Sequence, residues 1–207
     1  TNNPAAEGFL ASYTLSYSEP IKAFNSFYSF TPIIYVNGLD KILSTQDGSN
    51  LYLHHYGDYC NFYGTVAPSS IKFIANPESR LRKALYSIGY IGEVLDEDGY
   101  NIGDETWTRV RVTTDYQNSD WVDLTSNATR TERMWSINAL RDVILNSNGN
   151  IYDPANFITT LPSTDLRVLY PERLRDFYFT IELEYDNQAN RKLILSFVRT
   201  IYNPSER

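Results

Sequence analysis

The sequence predicts a mostly-β protein, in which a small blade-like or meander β unit precedes an antiparallel β-sandwich-like domain. The chain has 17 Tyr and 10 Phe but a single Met among 207 residues, and such a content of aromatic residues favours pleated, half-buried surfaces over helices. Short apolar runs are separated by turn residues, and several runs alternate apolar with polar side chains, which is the period of a strand with one buried face.

The first 64 residues predict a short arm followed by a compact set of strands. Residues 1–8 are polar and contain Pro and Gly, which is typical of a linker or extended arm. Asn37-Gly38 and Asp47-Gly48 are hairpin signals within residues 9–64. About four strands in some 50 residues is the size of one propeller blade or a small meander. The strand-like runs are 11–17, 23–30, 33–36, 42–44 and 51–55.

Longer strands are predicted in residues 65–207. In the run 106–116, Val110 and Val112 share one face while Arg109 and Arg111 share the other. No regular helices alternate with these strands, so the pattern favours an antiparallel sandwich. The other runs are 70–75, 85–94 and 133–139.

The last two strands are predicted to form a hairpin. Apolar and polar residues alternate over Phe177–Tyr185, whereas Lys192–Tyr202 is apolar on both faces, as in a central strand. Asp186–Asn190 joins them with residues that favour turns.

Composition limits the function classes. The formal net charge of −7 and pI near 4.8 disfavour a broad nucleic-acid-binding face. A single cysteine, Cys60, excludes an internal disulfide, and the sequence has no run of 18 apolar residues. Because the chain starts at Thr1 rather than Met, we expect it to be part of a longer polypeptide.

Two clusters contain residue types that can bind metal ions. His54, His55, Asp58 and Cys60 lie close in sequence, but adjacent histidines on a strand point to opposite faces, so we expect packing and turn hydrogen bonds rather than a metal site. The acidic loop 96–101 lacks the spacing of a calcium loop, and its Asp-Gly pair predicts a turn.

Glu182 and Glu184 are the pair of carboxylates closest to a glycosidase arrangement. Two positions along one strand place them about 7 Å apart, yet neighbours on one strand do not flank a cleft. We therefore expect a solvated face, paired across the hairpin with Lys192. The sequence also lacks a nucleophile elbow and a phosphate-binding loop, so it predicts no catalytic, cofactor-binding or metal-binding residue.

Two short basic clusters stand out in the acidic chain. They consist of Arg80, Arg82 and Lys83, and of Arg173 and Arg175. Salt bridges at a subunit interface and an ordinary solvated surface are both compatible with them.

Several stretches resemble the muzzle (nozzle, or stabilisation) proteins of crAss-like bacteriophages. The resemblance begins at Ala23–Phe30 and Gly48–His54 and continues along nearly the whole chain. Its motifs are packing and turn patterns rather than catalytic signatures. The further stretches are Gly57–Gly64, Pro68–Ile71, Asn76-Pro77, Thr114–Gln117, Arg130–Ile137, Asp176–Tyr178, Leu183–Tyr185 and Arg191-Lys192.

The resemblance implies a structural virion protein and not an enzyme. It implies the C-terminal part of a protein at the distal end of a short tail, forming a sixfold homo-oligomer around the tail axis. Its partners would be other tail and ring proteins and the upstream part of the same polypeptide, with no membrane and no specific nucleic-acid binding. The assembly would retain packaged DNA, which passes through the lumen, and release it on infection. The family pattern implies no active site and no cofactor.

Two alternatives belong to other classes. A carbohydrate- or receptor-binding module at the tail tip would need exposed, coplanar aromatic rings, for example among Tyr100, Trp107 and Trp121. A cell-wall hydrolase would need a cleft with paired carboxylates on different elements.

Overall fold

The computed structural model describes residues 13–28, 30–38, 40–143, 172–187 and 189–205. The predicted arm at residues 1–8 lies outside them. No helix among the described residues is long and apolar enough to cross a membrane. The elements are β1 (Thr14–Ser18), β2 (Ala23–Tyr28), β3 (Ile34–Gly38), β4 (Lys41–Thr45), β5 (Tyr52–Leu53), β6 (Asn61–Phe62), β7 (Thr65–Val66), β8 (Ser69–Ala75), β9 (Lys83–Leu95), β10 (Arg109–Thr113), β11 (Val122–Asp123), α1 (Leu124–Asn127), β12 (Thr129–Thr131), β13 (Met134–Ile137), β14 (Arg175–Asp176), β15 (Phe179–Tyr185) and β16 (Lys192–Pro204).

The prediction of a mostly-β fold is confirmed, and the paired strands that the structure describes are antiparallel. The chain divides into two compact units, Thr1–Val66 and Ala67–Arg207. The assignment of residues 9–64 and 65–207 to separate domains stays a prediction.

The first unit consists of small sheets joined by tight turns. β1 pairs with β2, β3–β4–β5 form a three-stranded meander, and β6 pairs with β7. The predicted turn at Asp47-Gly48 connects β4 to β5. The Asp47 carboxylate accepts hydrogen bonds from the backbone N–H groups of Ser49 and Asn50, and Gly48 has the positive φ that such a turn requires.

The second unit is a sandwich of two sheets around a common core. One sheet has the strand order β11–β10–β15–β8. In the other, β9 is central, with β13 and β14 on one edge and β16 on the opposite edge, and β12 extends the sheet beyond β13. Both sheets contribute side chains to one buried cluster that includes Ile88, Tyr90, Val110, Val112 and Ile181.

The predicted hairpin between Phe177–Tyr185 and Lys192–Tyr202 is wrong. β15 pairs with β10 and β8, whereas β16 pairs with β9 in the other sheet. Within the connection, the buried Asn187 side chain is hydrogen-bonded to the backbone of Arg191. Its Nδ2 donates to the Arg191 carbonyl, and its Oδ1 accepts from the Arg191 N–H.

The expectation that Lys192–Tyr202 is a central strand is also wrong. Within the described residues β16 pairs with β9 alone, and its apolar residues serve two different environments. Leu193, Leu195 and Val198 pack against the core. Ile194 and Phe197 are exposed on the other side, so an apolar pattern on both faces does not require a neighbour on both edges.

Candidate interaction surfaces

The outer face of the β10–β15 pair carries two short, partly exposed ion pairs. The strand register places Arg109 opposite Glu184 and Arg111 opposite Glu182. Arg109 Nη2 lies 2.5 Å from Glu184 Oε1, and Arg111 Nη2 lies 2.6 Å from Glu182 Oε2. Both guanidinium carbons lie 4.6 Å from the centre of the Trp121 ring, a distance typical of a cation–π contact.

These contacts correct the expected surroundings of the two glutamates. Their partners are Arg109 and Arg111, not Lys192, which pairs with Leu95 in the other sheet. Glu182 and Glu184 line one strand face and are each held in an ion pair. They therefore do not form the cleft-flanking pair of carboxylates that a cell-wall hydrolase needs.

His54, the first of the two adjacent histidines, packs among aromatic rings and hydroxyl groups. His54 Nε2 lies 2.5 Å from the hydroxyl of the buried Ser44, and that hydroxyl lies 2.6 Å from the Tyr63 hydroxyl. Phe30 stacks on the His54 ring. Burial lowers the pKa of His54, and the nearby charge of His55 lowers that pKa further. His54 is thus part of a packed aromatic and hydroxyl cluster.

No group of three or more His, Cys, Asp or Glu residues that could hold a metal ion occurs in the described part of the chain. The acidic loop forms the predicted turn. Asp96 Oδ1 accepts hydrogen bonds from the N–H groups of Asp98 and Tyr100, and Gly99 has a positive φ. These contacts close the turn at the end of β9.

The two basic clusters are divided between interior and surface. Lys83 is fully buried, and its Nζ donates to the carbonyls of Glu78 and Leu81. Burial lowers the pKa of Lys83. Arg80 and Arg82 are exposed, whereas Arg173 stacks on Tyr86 with its guanidinium carbon 3.9 Å from the ring centre. A subunit-interface role for the exposed pair stays a prediction.

The three aromatic residues considered for sugar stacking do not form a common platform. Tyr100 is 72% exposed, but Trp107 belongs to the core. Trp121 is covered by the two arginines described above. A flat surface of coplanar rings, which a sugar-binding module uses, is therefore not built from these residues.

A cavity of about 240 Å³ lies between Glu105, Trp135 and Tyr185. The Tyr185 hydroxyl donates to Glu105 Oε1, while Arg191 Nε lies 3.3 Å from Glu105 Oε2. Burial, followed by this hydrogen bond to Glu105, raises the pKa of Tyr185. Because the polar groups of Glu105 are already paired, they stabilise the walls of the cavity rather than offer an open acid–base pair.

The first unit exposes an apolar face that sequence reasoning missed. Leu15, Tyr17, Phe24 and Phe27 are exposed on the β1–β2 hairpin, while Ser16 and Ser26 are half-buried. The alternation of apolar and polar residues in β1 identifies a strand with two unlike faces. It does not tell which face is covered, so the sequence alone could not reveal that the apolar one is open.

Comparison with known proteins identifies related sequences for about half of the chain. Residues 57–142 match the family model of the Crassvirus muzzle protein C-terminal domain. A curated muzzle protein of Bacteroides phage crAss001 is 31% identical over 107 residues, which make up 51% of this chain and 8% of that protein. The aligned region therefore spans a small fraction of the relative's length. The resemblance to muzzle proteins is confirmed, and the family model locates it in residues 57–142. Its extension along nearly the whole chain stays a prediction.

Proposed function

We propose, from the match of residues 57–142 to the Crassvirus muzzle C-terminal domain, that the chain is a structural component of a phage tail. This match is the observation that carries the proposal. It covers β6 to β13 and thus includes the long strand β9 around which one sheet of the sandwich is built.

The geometry supports a mechanical role rather than a chemical one. Both sheets of the second unit share one apolar core, and the charged residues on the β10–β15 face are held in ion pairs. A close-packed interior has low compressibility and transmits strain, which suits a part that bears the load of packaged DNA. On this proposal the chain has no enzymatic activity.

We place the chain at the distal end of the tail, as a sixfold homo-oligomer around the tail axis. It would contact other tail and ring proteins and the upstream part of the same polypeptide. The net charge of −7 is suited to lining a lumen through which DNA slides, because positively charged walls would bind the DNA phosphates. In this position the oligomer would retain packaged DNA and permit its release.

Quantitative mass spectrometry of purified virions tests the proposal. We expect peptides of this chain at a stoichiometry comparable to other tail proteins, and we expect immunogold labelling at the tail end opposite the capsid. Absence of the chain from virions, or labelling confined to the capsid, would contradict the proposed role.

A further inference from the structure

The cavity of the second unit combines aromatic rings with carboxylates. Its volume of about 240 Å³ is below the range of about 300–1,000 Å³ that is typical of small-molecule sites, so it suits a single inserted side chain. Trp135 and Tyr185 form part of its wall, and Asp104 and Asp186 lie beside them. A guanidinium group stacks on aromatic rings and pairs with carboxylates. An arginine side chain therefore has the chemistry that this cavity can bind.

The charged groups around the cavity leave it net negative. Asp104 Oδ1 lies 3.5 Å from Arg130 Nη1, and Glu105 Oε2 lies 3.3 Å from Arg191 Nε. Asp186 adds a further carboxylate to these two balanced pairs. The side chain of Asp104 is fully exposed, so a cation from another molecule can reach it. The cavity and its rim therefore favour a positively charged partner.

A short loop of the same unit presents two arginines to solvent. Residues 76–82 connect β8 to β9, and we call this segment the arginine loop. Its Arg80 and Arg82 are both exposed. Among the residues that the structure describes, neither guanidinium group takes part in an ion pair. Both arginines are therefore available to carboxylates of another molecule.

The buried Lys83 holds the arginine loop in one shape. Its Nζ donates to the carbonyls of Glu78 and Leu81 at 3.1 and 3.0 Å, and the Leu81 N–H donates to the Glu78 carbonyl at 2.9 Å. The Ser205 N–H donates to the Arg82 carbonyl at 2.8 Å. A loop that is fixed before binding loses less conformational entropy when it binds. Lys83 thus gives the two arginines a preformed support.

The arginine loop and the cavity of one chain lie too far apart to meet. The loop ends next to Lys83, at the start of β9. Trp135 on the cavity wall lies opposite Tyr90, farther along the same strand. At about 3.3 Å per residue this stretch of β9 spans about 20 Å, which is much longer than an arginine side chain. The loop can therefore reach only the cavity of a different molecule.

We propose that the cavity of one copy binds an arginine of the arginine loop of a second copy of this chain. The contact is head-to-tail, because the loop and the cavity are different surfaces of the molecule. Such heterologous contacts close into rings when the rotation between copies allows it. The proposal rests on the proposed homo-oligomer and deepens it by naming the groups that meet.

Sedimentation velocity of the full chain over a range of concentrations tests the contact. We expect the wild-type chain to self-associate. The double variant R80Q/R82Q removes the charges of the loop, and D104N/D186N removes two carboxylates of the cavity while keeping the shape of their side chains. Each should weaken self-association at least tenfold. A monomeric wild-type chain overturns the proposal.

A matched control separates this contact from a general effect of charge. The double variant K72Q/R199Q also removes two exposed positive charges from the second unit, but neither residue belongs to the loop or the cavity wall. It should leave self-association within about twofold of wild type, the size of effect expected for surface substitutions. If the control weakened association as much as R80Q/R82Q, the proposal would be wrong.

Mixing the two double variants tests whether the contact is head-to-tail. R80Q/R82Q keeps an intact cavity and D104N/D186N keeps an intact loop, so an equimolar mixture should form a heterodimer that grows no further. A mixture in which both chains stay monomeric would contradict the pairing of loop with cavity.

A small guanidinium compound tests the cavity without self-association. We would titrate the R80Q/R82Q chain with N-acetyl-arginine amide and follow the Trp135 indole N–H by NMR, assigned by its loss in the variant W135F. We expect this resonance to shift, whereas N-acetyl-citrulline amide, which is neutral and of similar shape, should leave it in place. No shift, or equal shifts with both compounds, would overturn the proposal.

The presence of the chain in virions separates this contact from the structural tail role. A chain that is monomeric in solution and nonetheless present in virions rejects the arginine contact and leaves the tail role intact. A chain that associates through the arginine loop but is absent from virions rejects the tail role and supports the contact.

Discussion

Trp121 shows how single residues stabilise the outer face of the sandwich. Its ring contacts the guanidinium groups of Arg109 and Arg111, which in turn pair with glutamates on β15. These contacts connect side chains on β10 and β15 with Trp121, which directly precedes β11. The two guanidinium groups lie over the indole, which is half-buried.

Replacing Trp121 with Ala should lower the free energy of unfolding of the second unit by about 1–2 kcal/mol, since each cation–π contact contributes about 0.5–1 kcal/mol. Thermal unfolding followed by circular dichroism measures the change. The control Y100A removes an aromatic residue that is 72% exposed and should have little effect. Equal destabilisation by both variants would contradict the role assigned to the Trp121 contacts.

His54 makes the stability of the first unit sensitive to acid. Because its pKa in the folded state lies below the ordinary 6.5, the unfolded chain binds more protons between that lower value and pH 6.5. Stability is therefore fully present above about pH 6.5 and falls as the pH drops through this window. The variant H54Q should remove this part of the pH dependence.

Proton NMR checks this directly, because the chain has only two histidines. We expect the His54 resonance to titrate with a midpoint below 6.5. A midpoint at or above 6.5 would show that the ring is not held neutral by burial, and would contradict the expected acid sensitivity.

At the scale of elements, the alternation of apolar and polar residues in β15 predicts both that the segment is a strand and which of its faces is buried. Phe179, Ile181, Leu183 and Tyr185 are all buried, and the alternating pattern in the sequence identifies this face. The partner strands could not be predicted in this way. Glu182 pairs with Arg111, a residue 71 positions away, and nothing in the local pattern of either strand specifies that choice.

The prediction of a hairpin between the last two strands is wrong for the same reason, because the local sequence does not specify which strand is the partner. Residues 186–190 have turn chemistry, and such residues are compatible with a hairpin within one sheet or with a crossing between two sheets. In the structure the chain crosses, and β16 pairs with β9 rather than with β15. That pairing depends on the packing of the whole sandwich, so the sequence predicts the turn but not its direction.

Ile181 and Ile74 provide a matched test of the core. Ile181 is fully buried in β15, whereas Ile74 in the adjacent β8 is 66% exposed. We expect I181A to lower the free energy of unfolding by about 2–5 kcal/mol and I74A to change it by about 0.5 kcal/mol or less. Chemical denaturation followed by tryptophan fluorescence measures both. Comparable losses would mean that the β15 face is not the core.

At the scale of the whole molecule, the two units differ in how completely they cover their apolar residues. The second unit contains the buried cluster formed by β9, β10, β13 and β15. In the first unit, Ser44 is the one fully buried residue among those described. Most of its large apolar side chains are at least partly exposed, so its stability depends more on what it contacts.

Hydrogen exchange should reveal this difference. We expect the slowest amide exchange in β9 and β15, and exchange faster by orders of magnitude in β1–β4, since exposed backbone hydrogen bonds open locally. Mass spectrometry of peptic peptides at several protein concentrations measures it. Equal protection of both units at the lowest concentration would contradict the expectation.

The pairing of β9 with β16 also has a consequence for synthesis. Lys83 in β9 pairs with Pro204, and Leu95 pairs with Lys192, so roughly a hundred residues must be made before this edge of β9 finds its partner. A nascent chain that has emerged as far as Asp142 already carries β9 and β13 but leaves a long apolar edge open. Slow translation between Asp142 and Pro204 would prolong the period in which the β9 edges of neighbouring nascent chains can pair with each other and aggregate.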